Sequence, residues 1–312
     1  MISMRYHIVS IAGVFLALAL GIVLGATKVQ GPILAGATDD RTQLTQQRDQ
    51  LQSDNQSLQV QLNTGEKFAD DVSALAVRGT LPKQTVVLIS TQDADPGDRD
   101  ALLGLLARAG ATVTAQLALT ADFTDPARSS ELQSLVAKSL PAGAKLPDVA
   151  SSGTMAGVLL GAVLVTDKDN KATSQPAEAT AAMSALSSGG FVTADGTLAP
   201  GRLVIVLTGG AQSGGSETDR SAVLSDLASQ LRKSAGGVVL AGSAGSATET
   251  GVVGTLRADS TAASAVSTVD DVDSSVGRIG AVLALVEQAG GGVGQYGTGS
   301  GAAAPIPVLA VG

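Results

Sequence analysis

The glycine-rich segment TGGAQSGGSETD (residues 208–219) has the spacing most suggestive of chemistry in this chain. It lies between a β-branched run and a helical pattern, and Gly209, Gly214 and Ser216 match the spacing of a phosphate-binding P-loop. The position of the P-loop lysine holds Gly215, so the β- and γ-phosphates of a nucleotide would lose their main charge partner. Backbone N–H groups could still hold an anion. The missing lysine favours a plain flexible loop.

Asp270, Asp271 and Asp273 form the densest acidic cluster. Three carboxylates are suited to a hard cation such as Ca²⁺ or Mg²⁺. They also precede a helical pattern over Val272–Gln288, where a carboxylate stabilises the helix N-terminus. We favour this second interpretation, with Asp273 as the cap, and predict no metal-ligating residues.

The residue inventory argues against most enzyme classes. His7 is the only histidine and lies beside an apolar N-terminal segment, so a histidine-containing triad cannot form in the rest of the chain. The absence of cysteine excludes thiol catalysis, disulfides and zinc–thiolate sites. An enzyme that uses Asp and Glu pairs to cleave glycosides remains an alternative, although the chain has no Trp and few other rings to hold a sugar. We predict no enzyme activity, no catalytic residue and no cofactor.

The net charge of the chain argues against a nucleic-acid partner. The chain carries 28 acidic and 20 basic residues, a net charge of -8. Phosphate backbones are bound by clustered Lys and Arg, and no such cluster occurs, so we expect no nucleic-acid partner.

The middle of the chain has the pattern of an α/β domain. Thr85–Ser90 and Ala111–Leu119 look like strands, with a helical pattern over Asp98–Ala109 between them. Such alternation is typical of a mostly parallel sheet covered by helices on both faces, a three-layer α/β domain. The pattern continues with helices predicted at 129–139, 177–186, 218–234 and 272–288 and strands at 202–208 and 236–242. We place the domain at residues 83–290 and a flexible Gly-rich tail at 291–312.

The first residues predict a membrane anchor. Residues 8–27 carry no charge, and a helix of that length spans about 30 Å, the thickness of a bilayer core. A cleaved signal peptide is the alternative, because Ala35-Gly36-Ala37 fits the A-x-A cleavage pattern, but this site lies far beyond the apolar run. We expect a retained transmembrane helix over residues 1–30. The charges of Arg5 and Lys28 barely favour either orientation, and we expect the body outside the cytoplasmic membrane, in the cell envelope.

Small residues recur at every fourth position of the anchor, at Gly13, Ala17, Gly21 and Gly25. This stripe would let two helices approach closely and predicts dimerisation within the membrane. Glycine and alanine are also common in membrane helices that do not associate.

A second pattern, over residues 37–78, indicates a short coiled coil. Leu44, Leu51 and Leu58 are seven residues apart and fit the d positions of a heptad repeat. The corresponding a positions are Arg41, Arg48, Asn55 and Leu62. Leucine at d with one Asn at a is typical of a parallel two-stranded coiled coil. A solvated amphipathic helix is the alternative, but the membrane stripe and the heptads agree on a parallel homodimer.

Three segments carry a resemblance to a known family. MISMRYHIVSIAGVFLALALGIVLG at the start, STVDDVDSSVGRIGAVLALVEQ (residues 267–288) and GQYG (residues 294–297) resemble the actinobacterial copper-transporter family. The resemblance implies an envelope protein with a role in copper efflux or homeostasis, and an outer-membrane location has been proposed for members. Related members are implicated in cell separation, where they act through a membrane partner and control a peptidoglycan hydrolase.

The chain contains few residues of the types that bind copper ions. Cu(I) prefers Cys and Met, and Cu(II) prefers His, whereas this chain has no Cys, one His and only Met1, Met4, Met155 and Met183. Two hypotheses follow. The protein serves copper homeostasis, as the resemblance implies, or it is a dimeric, non-enzymatic scaffold that binds an envelope partner and regulates peptidoglycan hydrolysis and cell separation.

Overall fold

The computed structural model describes residues 4–148, 150–196 and 198–308. Within these ranges the side chains of residues 5, 27–40 and 42 are not described. The chain divides into two units, Met1–Thr64 and Gly65–Gly312. We call them the N-terminal unit and the α/β unit.

The N-terminal unit is helical. Helix α1 runs from Met4 to Val77, so its last turns belong to the α/β unit. Residues 4–30 of the predicted anchor (1–30) and residues 37–77 of the predicted coiled-coil segment (37–78) therefore lie on one helix. Residues Tyr6–Ala26 have a mean hydropathy of 2.6, and by length and composition they can cross a bilayer. This agrees with the predicted membrane anchor.

The α/β unit is built on a seven-stranded sheet with the order β3-β2-β1-β4-β5-β6-β7. Every neighbouring pair is parallel except β2 and β3, which are antiparallel. The predicted α/β fold is confirmed. The strands are β1 (Thr85–Ser90), β2 (Thr112–Leu119), β3 (Val192–Asp195), β4 (Leu203–Thr208), β5 (Gly237–Gly242), β6 (Ser267–Val269) and β7 (Gln295–Tyr296).

Helices cover both faces of this sheet. After α1 come α2 (Pro96–Ala109), α3 (Ala121–Thr124), α4 (Ser129–Ser139), α5 (Ser152–Leu164), α6 (Pro176–Ser188), α7 (Glu217–Arg232), α8 (Val252–Ala258), α9 (Ser260–Ala263) and α10 (Ser275–Ala289), with a 3₁₀ turn at 126–128. Side chains of a strand alternate between faces. Val87 and Ile89 of β1 therefore join one core with α5 and α7, while Val86 and Leu88 join a second core with α2 and α10. Central strands buried on both sides explain the continuous apolar runs in the sequence.

Two details of the C-terminal segment differ from the sequence predictions. Helix α10 begins at Ser275, and its cap is Ser274, whose hydroxyl accepts from the Gly277 N–H at 2.9 Å. Asp273 is therefore not the cap. Part of the predicted flexible tail belongs to the sheet, because β7 pairs with β6 and Tyr296 is buried. The prediction of a flexible tail was based on glycine content alone. It was wrong for this part of the segment, because the backbone of a glycine can pair in a ladder as well as that of any other residue.

Candidate functional site

The strand order creates an opening at one point of the sheet. Strand β1 lies between β2 and β4, and the chain proceeds from β1 to β2 on one side and from β4 to β5 on the other. The loops that follow β1 and β4 therefore lead in opposite directions. In parallel α/β sheets this topological switch point is where ligands commonly bind.

A crevice of about 370 Å³ lies at this point, and we call it the switch-point crevice. The loops after β1 and β2 line it together with the loop after β4 and the first turns of α7. The lining residues are Thr91, Gln92, Asp93, Leu119, Thr120, Ala121, Thr124, Gln212, Arg220 and Leu224.

Asp93 holds the β1 and β4 loops together. One of its carboxylate oxygens accepts from the Thr91 hydroxyl and the other from the Gln212 side-chain amide at 2.8 Å. Gly209 permits this approach, because a Cβ there would clash with the carbonyl oxygen of Asp93. Hydrogen bonds within the chain thus hold these lining residues of the crevice in place.

The glycine-rich loop predicted as a plain loop does not have the geometry of a phosphate cradle. Glu217 accepts a hydrogen bond from the Gly215 N–H at 2.7 Å. That bond lowers the pKa of the Glu217 carboxyl. A P-loop offers such N–H groups to a phosphate, whereas here a carboxylate occupies one of them.

Arg220, on the first turns of α7, is the basic residue of the crevice. One of its terminal N–H groups donates to the carbonyl of Ser213. Its Nε is buried and makes no hydrogen bond. The sequence did not indicate Arg220 as a site residue. Arg220 follows a strand and a glycine-rich loop, and only the strand order shows that this position lies at the switch point of the sheet.

The acidic cluster serves the fold. Asp270 is 1% exposed at its side chain and pairs with Arg257 at 2.6 Å. It also accepts from the N–H groups of Thr298 and Gly299, each at 2.8 Å. Asp273 accepts from the Ala244 N–H at 2.9 Å. Among the side chains that the structure describes, no group of three or more His, Asp or Glu is arranged to hold a metal ion.

Asp271 is the unusual member of this cluster. It is buried, and its Oδ1 has no hydrogen-bond partner. Burial, followed by the negative charges of Asp270 and Asp273, raises the pKa of the Asp271 carboxyl to about 6.

The predicted dimerisation residues all lie on α1 within the N-terminal unit. The four leucines of the heptad pattern, Leu44, Leu51, Leu58 and Leu62, are exposed. At Gly13, Gly21 and Gly25 no described atom outside the neighbouring helix backbone lies within 4 Å of the place where a Cβ would stand. Ala17 and Asn55 are exposed as well. Pairing with a second copy through these residues stays a prediction.

Fold and apolar helix together define the class: a protein with one candidate membrane-spanning helix among its described residues and a mostly parallel α/β unit. The chain belongs to the family described as "Copper transport outer membrane protein, MctB", whose model matches residues 1–307. The predicted resemblance is confirmed.

Curated relatives named "Copper transporter MctB" match over nearly the whole length. Those of Mycobacterium bovis and Mycobacterium tuberculosis are 36% identical over 308 residues, which cover 97% of this chain and 98% of each relative. That of Mycobacterium leprae is 34% identical over 313 residues. These names describe copper transport rather than catalysis.

Proposed function

We propose that this protein serves copper homeostasis in the cell envelope, anchored to the membrane by the apolar helix Tyr6–Ala26. The observation that carries the proposal is the family match over residues 1–307, together with relatives named copper transporters at 34–36% identity. The apolar helix supports the anchored location. We place the α/β unit outside the cytoplasmic membrane.

The amino-acid inventory supports an indirect part in handling copper. The chain has no Cys, four Met and one His, while Cu(I) and Cu(II) sites are built from these residue types. Met155 and Met183 lie on different helices, α5 and α6, and Met183 is buried. We therefore propose that the protein acts on copper through a partner in the envelope.

The copper role is tested by copper tolerance. A strain without this gene is grown over a copper series, with and without the full chain supplied on a plasmid. The proposal expects growth to stop at a lower copper concentration in the deleted strain and to recover with the full chain. A zinc series is the matched control, and growth there should be unchanged. Equal copper tolerance of the deleted and parent strains would refute the proposal.

A second candidate function is a dimeric scaffold that binds an envelope protein and regulates peptidoglycan hydrolysis and cell separation. The observation that favours it is the set of exposed heptad leucines on α1. Large apolar side chains at d spacing are stabilised when a second helix covers them.

Cell shape and crosslinking test this second candidate. The deleted strain should form chains of unseparated cells at ordinary copper levels, and in-cell crosslinking of the full chain should yield a homodimer and a further envelope protein. Normal separation together with a monomeric, uncrosslinked chain would rule it out.

A further inference from the structure

We propose that the switch-point crevice binds a small molecule carrying an oxyanion, a carboxylate or a phosphate, through Arg220. This goes beyond the copper role and does not depend on it. The crevice lies at the carboxyl ends of β1 and β2, beside the loop after β4. Its volume of about 370 Å³ falls in the range of about 300–1,000 Å³ found for small-molecule sites.

Arg220 supplies the positive charge of the crevice, and Asp93 is its one acidic lining residue. Asp93 accepts hydrogen bonds at both carboxylate oxygens, from Thr91 and Gln212. Among the described residues, no ion pair within 4.0 Å includes Arg220. The charge of Arg220 does contribute to the lowered pKa of Glu217, but that carboxylate takes its hydrogen bond from Gly215.

The hydrogen bonding of Arg220 specifies the chemistry of the ligand. Its bond to the Ser213 carbonyl fixes the side chain, while the buried Nε–H has no acceptor. The Nε–H has almost no exposed surface, so a ligand in the crevice would be held by the terminal N–H groups that the bond to Ser213 leaves free. A guanidinium presents parallel N–H groups that match the two oxygens of a carboxylate or phosphate.

The crevice also offers an apolar side. Leu119, Ala121 and Leu224 line it together with the polar residues. A ligand with an oxyanion at one end and a short carbon skeleton would use both. The geometry therefore points to a small organic acid or phosphate ester rather than to a metal ion.

The test uses the full chain in detergent micelles and two probes. Binding of inorganic phosphate is followed by the ³¹P linewidth, and binding of acetate by ¹H saturation transfer. We expect saturable binding of at least one probe, and about tenfold weaker binding in Arg220→Gln. Saturation by phosphate alone indicates a phosphate ligand, by acetate alone a carboxylate, and by both the shared oxyanion chemistry.

Three further variants make the result decisive. Lys233→Gln removes a positive charge from the other end of the same helix and should leave binding unchanged. Arg220→Lys keeps the charge without the fork and should bind with intermediate affinity. Ala121→Phe fills the crevice from its exposed rim without removing a side-chain hydrogen bond, and it should abolish binding even if Arg220→Gln fails to fold. Unchanged affinity in Arg220→Gln or in Ala121→Phe, or no saturable binding of either probe to the unmodified chain, would overturn the proposal.

Discussion

The ion pair between Arg257 and Asp270 connects the C-terminal segment to the sheet. Arg257 donates to Asp270 and to the carbonyls of Tyr296 and Ser300, at 2.6–2.7 Å. Asp270 accepts from the backbone of the same segment. Both side chains are almost fully buried, at 6% and 1% exposure. A buried ion pair is costly to break from one side, since the remaining charge then has no partner.

We therefore expect Arg257→Met to lower the free energy of unfolding by about 3–5 kcal/mol. The measurement is urea denaturation of the full chain followed by circular dichroism. Lys67→Met is the control, because Lys67 pairs with Asp71 on the surface, where such a pair contributes about 0–1 kcal/mol. Similar losses in both variants would contradict the structural role given to Arg257.

The buried Asp271 predicts a dependence of stability on pH. Its pKa is raised from 3.8 to about 6 in the folded chain, so between these values the native state binds the proton more tightly than the unfolded state. The resulting stabilisation is fully present below the unfolded pKa and is lost as pH rises through about 6. Asp271→Asn removes this titration, and its stability relative to the unmodified chain should rise by about 2 kcal/mol between pH 4 and pH 7.

Thermal denaturation of both proteins across this pH range measures the difference. Asp125→Asn is a matched control, because Asp125 is half-exposed in a surface turn and caps the Ala127 N–H. A constant stability difference between Asp271→Asn and the unmodified chain from pH 4 to pH 7 would show that Asp271 titrates normally.

Helix α1 is the element on which the dimer hypothesis depends. Replacing Leu51 and Leu58 with Glu places charges on the predicted d face, and we expect the full chain in detergent to shift from dimer to monomer. Gln46→Glu with Ser53→Glu is the control, since these two exposed residues lie on the outer f positions. Sedimentation equilibrium gives the mass. A dimer that survives the leucine changes, or a monomer before them, would contradict the coiled coil.

The glycines of the membrane segment allow a separate test of association within the bilayer. A Cβ at Gly21 or Gly25 would meet no described atom within 4 Å outside the neighbouring helix backbone, so a loss of self-association in Gly21→Leu with Gly25→Leu reports on a second helix. We expect a clear decrease in energy transfer between labelled chains in vesicles. Phe15→Leu with Ala19→Leu alters the opposite face and should have little effect. Equal energy transfer in both double variants would show that the stripe of small residues does not mediate association and that the segment serves only as an anchor.

The elements themselves show what local sequence can and cannot predict. The runs at β1 and β4 were recognisable because both faces of a central strand are buried, which demands consecutive apolar residues. Strands β6 and β7, with three and two residues, are too short to leave a pattern and depend on pairing with their neighbours. The switch-point crevice could not be predicted, because Asp93, Gln212 and Arg220 are brought together by the strand order, a non-local property.

At the scale of the whole molecule, the chain combines an apolar helix with an α/β unit. The first and last segments of the sequence were sufficient to indicate the family, and the match over residues 1–307 confirms it. The copper role is an inference from that family, since the few Met and His residues give no ligand set of their own. The central claim is therefore tested best in the cell.

The most direct measurement is the copper content of cells, determined by mass spectrometry after growth at a sub-inhibitory copper concentration. We predict that cells lacking this protein accumulate several-fold more copper than the parent and return to the parent level when the full chain is restored. Zinc content in the same samples should stay constant. Equal copper content in the deleted, parent and restored cells would contradict a role in copper homeostasis.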